Sequence, residues 1–405
     1  MPPTTLPKLR PLDIQQIMHE GRPSLLVQDP LNLSERYLVL PQALGPALML
    51  CDGQHDTQAI AAALVGNFGI RIELDVVEAL VEALDQALFL ENERSATGMA
   101  AALQAYRDAP FRAPRIAGDG YPADPGELRL FFDKYLHEAG PLPPMPASGK
   151  VIFSPHIDYQ RGGHVYARVW KRAVEMAKAA DLVVVLATDH FSGDNQITLT
   201  RQNYATPYGV LPTNAAIVDQ LAEAIGEDKA FAGELYHTRE HSIELVVTWL
   251  HHMREGRPVE LVPILTGSFH HLLGNSNQPE DEPALRALLD ILAETSTERH
   301  VLVVASGDLA HIGPAFGAEP VGIIERADLR VHDDALIERL AAGDANGFWD
   351  VIKRYEDSKN VCGVAPFYLS LKLAGPVEGE QAGYAVCPAD QNNTSVVSVC
   401  GMVFG

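Results

Sequence analysis

The stretch VIFSPHIDYQRGG, residues 151–163, runs an apolar segment into Ser-Pro and then delivers a histidine, an aspartate and a tyrosine. The construction returns in LVVVLATDHFSG at 182–193 and in VLVVASGDLAHIG at 301–313. Each is a core-quality strand with a histidine just past its last apolar residue. Between and beside them, YARVWKRAVEMAKAA, NAAIVDQLAEAIG, IELVVTWLHHM and ALRALLDILAET carry helical apolar spacing, while ELVPILTG reads as another strand. Continuous apolar strands alternating with helices predict an α/β domain whose sheet is covered by helices on both faces. Such sheets bind ligands outside the carboxyl ends of their strands. His156, His190 and His311 therefore fall where this fold class places its chemistry.

The chain has 405 residues, enough for two or three domains. Its formal charge of -22 would repel phosphate backbones and anionic lipid, which argues against nucleic-acid and membrane partners. No apolar run is long enough to span a bilayer, and the start MPPTTLPKLRPLD lacks the apolar core of a secretion signal. The cysteines Cys51, Cys362, Cys387 and Cys400 form no CxxC pair and no disulfide framework, which fits a reducing cytoplasm.

Residues 1–95 read as a small α+β domain. SLLVQDP and RYLVLP are short strands, and TQAIAAALVGNFG and LDVVEALVEALDQALFL are amphipathic helices, with Gly53 available for a turn in LCDGQHD. Apolar periodicity fades over 96–112, which predicts a linker. From 113 the second domain begins, and its first helix should start at Asp124 as N-cap with Pro125 behind it.

Taken singly, His156 and His190 are more often structural than functional at such positions. Asp308 precedes His311 by three residues, so one turn of chain could set its imidazole tautomer, or simply cap a helix. Cys362, in KNVCGVAPFYLSLKLAG, stands before a helix whose positive end favours thiolate. Taken alone it would read as an inert packed thiol, as Cys51, Cys387 and Cys400 do. Glu240, His241 and Glu244 open a helix in TREHSIELVVTWLHH, where carboxylates complement the dipole. His251, His252, His270 and His271 read as solvated residues at loops and helix ends.

The ordered set PHIDY, LATDH, TPYGVLPTNAAIVDQL, EHSIE, VPILTG, SGDLAH and NVCGVAP resembles the Memo family, also called AmmeMemoRadiSam system protein B. AGDGYPADPGELRLFFDKYL looks like that family's opening motif, so the resemblance covers about 113–405. It implies a fold similar to the class III extradiol (LigB-type) non-haem iron dioxygenases. It implies a metal at His156, His190 and Cys362, with Asp308 and His311 as a second pair in the same pocket. Asp158, Tyr159, Asp189, Glu240 and His241 would flank the substrate. Asp158 stands where the family usually has glycine, and Thr188 and Asp189 replace a Gly-Pro type of loop, which leaves the substrate open. The run LVLPQALGPALMLCDGQHDTQAIAAALVGNFG resembles the PqqD-like fold, a winged-helix-like peptide binder.

Two histidines and an anionic ligand suit Fe(II), and a thiolate also tolerates Cu or Zn. His311, oriented by Asp308, would shuttle a proton. The leading expectation is thus a cytoplasmic, redox-capable, dioxygenase-like metal protein acting on an unknown small molecule or peptide. Two other classes fit the same residues: a vestigial peptide adaptor, and a hydrolase with Cys362 as nucleophile and His311 as base.

Overall fold

The computed structural model describes residues 6–191, 196–274 and 277–405. Two compact units divide after Asp108. In the first, β1 (Asp13–His19), β2 (Arg22–Gln28) and β3 (Leu38–Pro41) form an antiparallel sheet in that order. Leu25 and Val27 of β2 pack with Ile60 and Leu64 of helix Thr57–Phe68 and with Val77, Leu80 and Leu84 of helix Leu74–Gln86. Asp56 caps the first of these helices by accepting from the Ala59 N–H. Gly53 adopts φ +81°, as its turn requires. β1 has no sequence signal, since DIQQIMH is almost wholly exposed; pairing along β2 is what makes it a strand.

The segment expected as a linker over 96–112 is instead mostly helix, Glu93–Asp108. Its alanines weaken the apolar stripe, yet alanine is the best helix former, so loss of periodicity did not mean loss of helix. The unit expected over 1–95 accordingly runs to Asp108, and its first five residues lie outside those described.

The second unit is built on an eight-stranded mixed sheet. Its strands are β4 (Val151–Ser154), β5 (Leu182–Thr188), β6 (Ile197–Leu199), β9 (Glu260–Thr266), β10 (Val301–Ser306), β11 (His311–Ile312), β12 (Gly379–Pro388) and β13 (Val396–Phe404), while β7 (Tyr204–Thr206) and β8 (Gly209–Leu211) pair apart. Along the sheet the order is β11-β13-β4-β10-β5-β9-β6, with β12 paired to β13. The central strands β4, β10, β5 and β9 are parallel, and antiparallel strands close both sides.

Side chains alternate between two cores, as the period of a strand demands. Val184, Leu186, Val303 and Ile264 join one core with helices Ala215–Ile225, Pro283–Glu298, Ala345–Arg354 and Val364–Ala374. Val183, Val185, Leu302 and Leu265 join the other with helices Pro125–Glu138, Tyr159–Arg172 and Ser242–Met253. Asp124 caps Pro125–Glu138 through the Gly126 and Glu127 N–H groups. The expected cover on both faces is present. No helix among the described residues is long and apolar enough to cross a membrane.

Candidate metal centre

The carboxyl ends of the adjacent strands β4, β10 and β5 lead directly into His156, Asp308 and His190. Cys362 arrives from the far end of the chain, one residue before Gly363, the N-cap of helix Val364–Ala374. A glycine pair admits it. A Cβ on Gly307 would lie 2.5 Å from the Gly363 Cα, so any other residue would push the two loops apart. With both glycines present, the Gly363 N–H donates to the Asp308 carbonyl at 2.9 Å, and the Asp308 N–H donates to Cys362 Sγ at 3.2 Å.

His156 Nε2 lies 3.1 Å from Cys362 Sγ, and its ring centre is 5.1 Å from that of His190 and 5.4 Å from that of His241. His190 and His241 stack nearly parallel at 5.2 Å. One carboxylate holds both: Glu240 Oε2 meets His190 Nδ1 at 3.0 Å, and Oε1 meets His241 Nδ1 at 3.1 Å. Glu240 also accepts from the backbone N–H groups of His190, His241 and Ser242, which caps helix Ser242–Met253. With Nδ1 of both rings engaged, their Nε2 atoms are left for another ligand. Two groupings close with ligand atoms within 4.8 Å of one another: His156, His190 and His241, and His156, Asp308 and Cys362.

The electrostatics of the cluster favour a cation. Burial holds His156 well below the ordinary imidazole range, and neighbouring His190 and His241 add to this. For His190, burial opposes charge, but the Glu240 carboxylate and Cys362 outweigh it and raise its pKa well above the ordinary value. Glu240 is correspondingly held ionised against its own burial by His190. Burial pushes the Cys362 thiol up, with His190 opposing. His190 thus carries a positive charge beside Glu240, and a metal ion bound at that ring would take the place of its proton.

Asp308 and His311 depart from their expected pairing. The Asp308 carboxylate accepts from the His156 N–H at 2.9 Å, which fixes the loop after β4 rather than the His311 ring. Burial raises its pKa to about 6. His311 lies on β11, where its Nδ1 faces the carbonyls of Leu309 and Asn360, both at 3.1 Å. Both partners are acceptors, so Nδ1 carries the proton and Nε2 the lone pair. Burial lowers its pKa to about 4, leaving it neutral near pH 7. The three-residue spacing misled because β10 ends at Ser306 and the chain runs on without a helical turn.

His156, Asp158, His190, His241, Asp308, His311 and Cys362 line one cavity of about 810 Å³, with Arg115, Arg161 and Phe316 also in its wall. Of the remaining flanking residues, Tyr159 is not in that wall. Its ring is buried among Tyr166, Phe132 and Trp249, and its hydroxyl donates to the Leu245 carbonyl at 2.7 Å. Its place on the inner face of helix Tyr159–Arg172 decides this. Glu240 stands behind the imidazoles, 1% exposed. Asp189 faces a separate, smaller cavity; burial raises its pKa to about 6.

Sequence reasoning placed His241 only at the rim of the pocket, whereas it completes the histidine cluster. It also undervalued Glu244, which is no simple dipole partner. Glu244 takes the Arg112 guanidinium, the Tyr121 hydroxyl at 2.7 Å, and the N–H groups of Arg115 and Ile116 at 2.7 and 3.0 Å. It therefore fastens the segment that brings Arg115 to the cavity. His251 is buried, not solvated: Nδ1 meets Thr206 Oγ1 at 2.8 Å and Nε2 the Gly256 carbonyl at 3.0 Å.

The family model described as Memo-like protein matches residues 112–403. A MEMO1 family protein of Methanopyrus kandleri is 30% identical over 306 residues, 72% of this chain and 98% of that protein. One of Archaeoglobus fulgidus is 25% identical over 300 residues, 73% of this chain and 99% of its own length. One of Aquifex aeolicus is 24% identical over 405 residues, 98% of this chain and 99% of its own, so it aligns across both units. With its second unit matched nearly end to end and its strand-end histidines gathered in one pocket, this chain belongs to the Memo-like protein family.

Proposed function

We propose that the pocket is a non-haem metal site of the extradiol-dioxygenase kind, with His156, His190, His241 and Cys362 as ligands, acting on a small molecule. The observation that carries this reading is Glu240, one buried carboxylate holding two imidazoles by Nδ1 so that both Nε2 atoms share a pocket with a third histidine and a thiol. The residues fit a metal. Bonds of 2.0 to 2.3 Å to one ion put ligand atoms roughly 3 to 4.6 Å apart, close to the spacing within each of two groupings that share His156, one with His190 and His241 and one with Asp308 and Cys362. Imidazoles with a thiolate suit Fe(II) first, with Cu and Zn also accommodated.

A metal held there supplies Lewis acidity and, if iron or copper, electron transfer. The chain supplies the rest. Neutral His311 accepts a proton at Nε2 from a group bound in the cavity. Asp308 holds the His156 backbone in place, and Glu244 fixes the segment that carries Arg115 into the wall. The free thiol of Cys362 suits a reducing compartment.

The 3.1 Å contact of Cys362 Sγ with His156 Nε2 also supports a second reading, a cysteine hydrolase with His156 as base in place of His311. Burial of the thiol weighs against it. For the first unit, a peptide added beside β1 suits an edge strand that pairs only with β2 among the described residues.

Metal analysis of anaerobically purified protein, followed by oxygen uptake, tests the leading reading. Stoichiometric iron with oxygen consumption is expected. Metal-free protein that hydrolyses a thioester or ester probe in the presence of chelator would replace it with the hydrolase.

A further inference from the structure

A second cavity, of about 190 Å³, lies against the metal centre and is lined mainly by Phe269, Leu273, Trp349, Ile352, Val364 and Ala365. It shares three residues with the larger cavity: His190, Cys362 and Asn360 stand in the walls of both. The two cavities differ in chemistry. The larger one sets imidazoles, carboxylates and two arginines among its apolar side chains, whereas the smaller one has no arginine and, although Asp189, His270 and Asp357 stand in its wall, presents mostly aromatic and aliphatic surface.

We infer that the smaller chamber binds the compact apolar end of a small molecule, about one six-membered ring in size, against His190 and Cys362. Its volume exceeds the ~150 Å³ at which an apolar cavity stays dry and takes up benzene. An empty space of this size costs contacts on every side, and an apolar group that fills it regains them. Asp189, His270 and Asp357 also stand in the wall, so an anionic group would face two carboxylates there, while Ile352, Val361, Val364 and Ala365 offer it no partner. The position of the chamber sets its role. A ligand there touches His190 and Cys362, which also face the larger cavity, so the chamber selects substrates by the shape of their apolar end. The selecting role rests on the metal reading, whereas binding of the apolar group does not, because Phe269, Leu273, Trp349, Ile352, Val364 and Ala365 are not among the proposed metal ligands.

The probe is toluene, with benzoate as the charged counterpart, added to full-length metal-free protein carrying labelled Ile, Leu and Val methyl groups. Toluene is expected to give saturable shifts at Ile352, Val361, Val364 and Leu273, with benzoate giving none at these methyls. Ala365→Phe, which puts a ring into the chamber, should weaken toluene at least ~10-fold. Because Ala365 is buried in a helix, Leu273→Phe provides a second filling variant at a half-buried position, with the same loss expected. Absence of saturable shifts in the wild type overturns the proposal, as does toluene binding that both filling variants leave unchanged. Loss of metal binding in a separate assay would leave these outcomes unaltered.

Discussion

Glu240 Oε2 meets the Nδ1 of His190 at 3.0 Å, and because the carboxylate is buried and ionised it sets both the tautomer and the aim of that ring. The same group holds His241, so the aim of two imidazoles depends on one residue outside the pocket wall. Glu240→Gln should therefore weaken metal binding by ~10- to 100-fold while the fold persists. Competition against a chelator of known affinity, with circular dichroism on the same sample, checks this. Unchanged affinity would show that the imidazoles are aimed by packing alone.

His241 and His311 should respond differently to removal. His241 stacks on His190 within the histidine grouping, whereas His311 is tied to the Leu309 and Asn360 carbonyls. His241→Ala should lose metal about as His156→Ala does. His311→Ala should keep it while turnover falls by ~10² to 10⁴. Side-by-side metal stoichiometry under anaerobic conditions decides, and equal loss in all three would make His311 a ligand.

Arg112 and Glu244 form a buried ion pair whose side chains are 1% and 0% exposed. Removing one partner leaves the other charge uncompensated. Arg112→Met should cost about 3 to 5 kcal/mol, more than an exposed pair could contribute. Chemical denaturation measures it. A cost below ~1 kcal/mol would mean that water reaches Glu244 once the arginine is gone.

His237 gives a pH signature away from the histidine cluster. It is fully buried and its pKa is lowered to about 3, chiefly by burial. Nε2–H donates to the Thr198 carbonyl at 3.1 Å and Nδ1 accepts from the Tyr204 hydroxyl at 2.6 Å, so the neutral ring is satisfied. Its pKa in the unfolded chain, about 6.5, is higher than in the folded one. Between those values the unfolded state binds more protons, so stability falls as pH drops from about 6.5 toward 3. Each unit costs at most ~1.4 kcal/mol. Relative to the wild type, His237→Gln should flatten the fall of melting temperature between pH 6.5 and 4. Parallel profiles for the two proteins would assign the acid sensitivity elsewhere.

The sequence by itself determined the elements whose signal is local. The largely apolar runs at 151–154, 182–188, 260–266 and 301–306 read as strands buried on both faces, and the first, second and fourth are each followed within a few residues by a histidine. Asp124 and Pro125 announced a helix start because capping involves neighbours in the chain. Tertiary structure alone decided what depends on distant partners. The insertion of β10 between β4 and β5 puts Asp308 beside the His156 loop instead of His311. Strand β13, on the other side of β4, comes from the last residues of the chain. His241 and Glu240 lie some fifty residues from His190, and in sequence they look like any helix start. They become a pocket imidazole and its holder only when the helix Ser242–Met253 packs beneath the strand ends, because no local pattern records which side chains a fold will bring face to face.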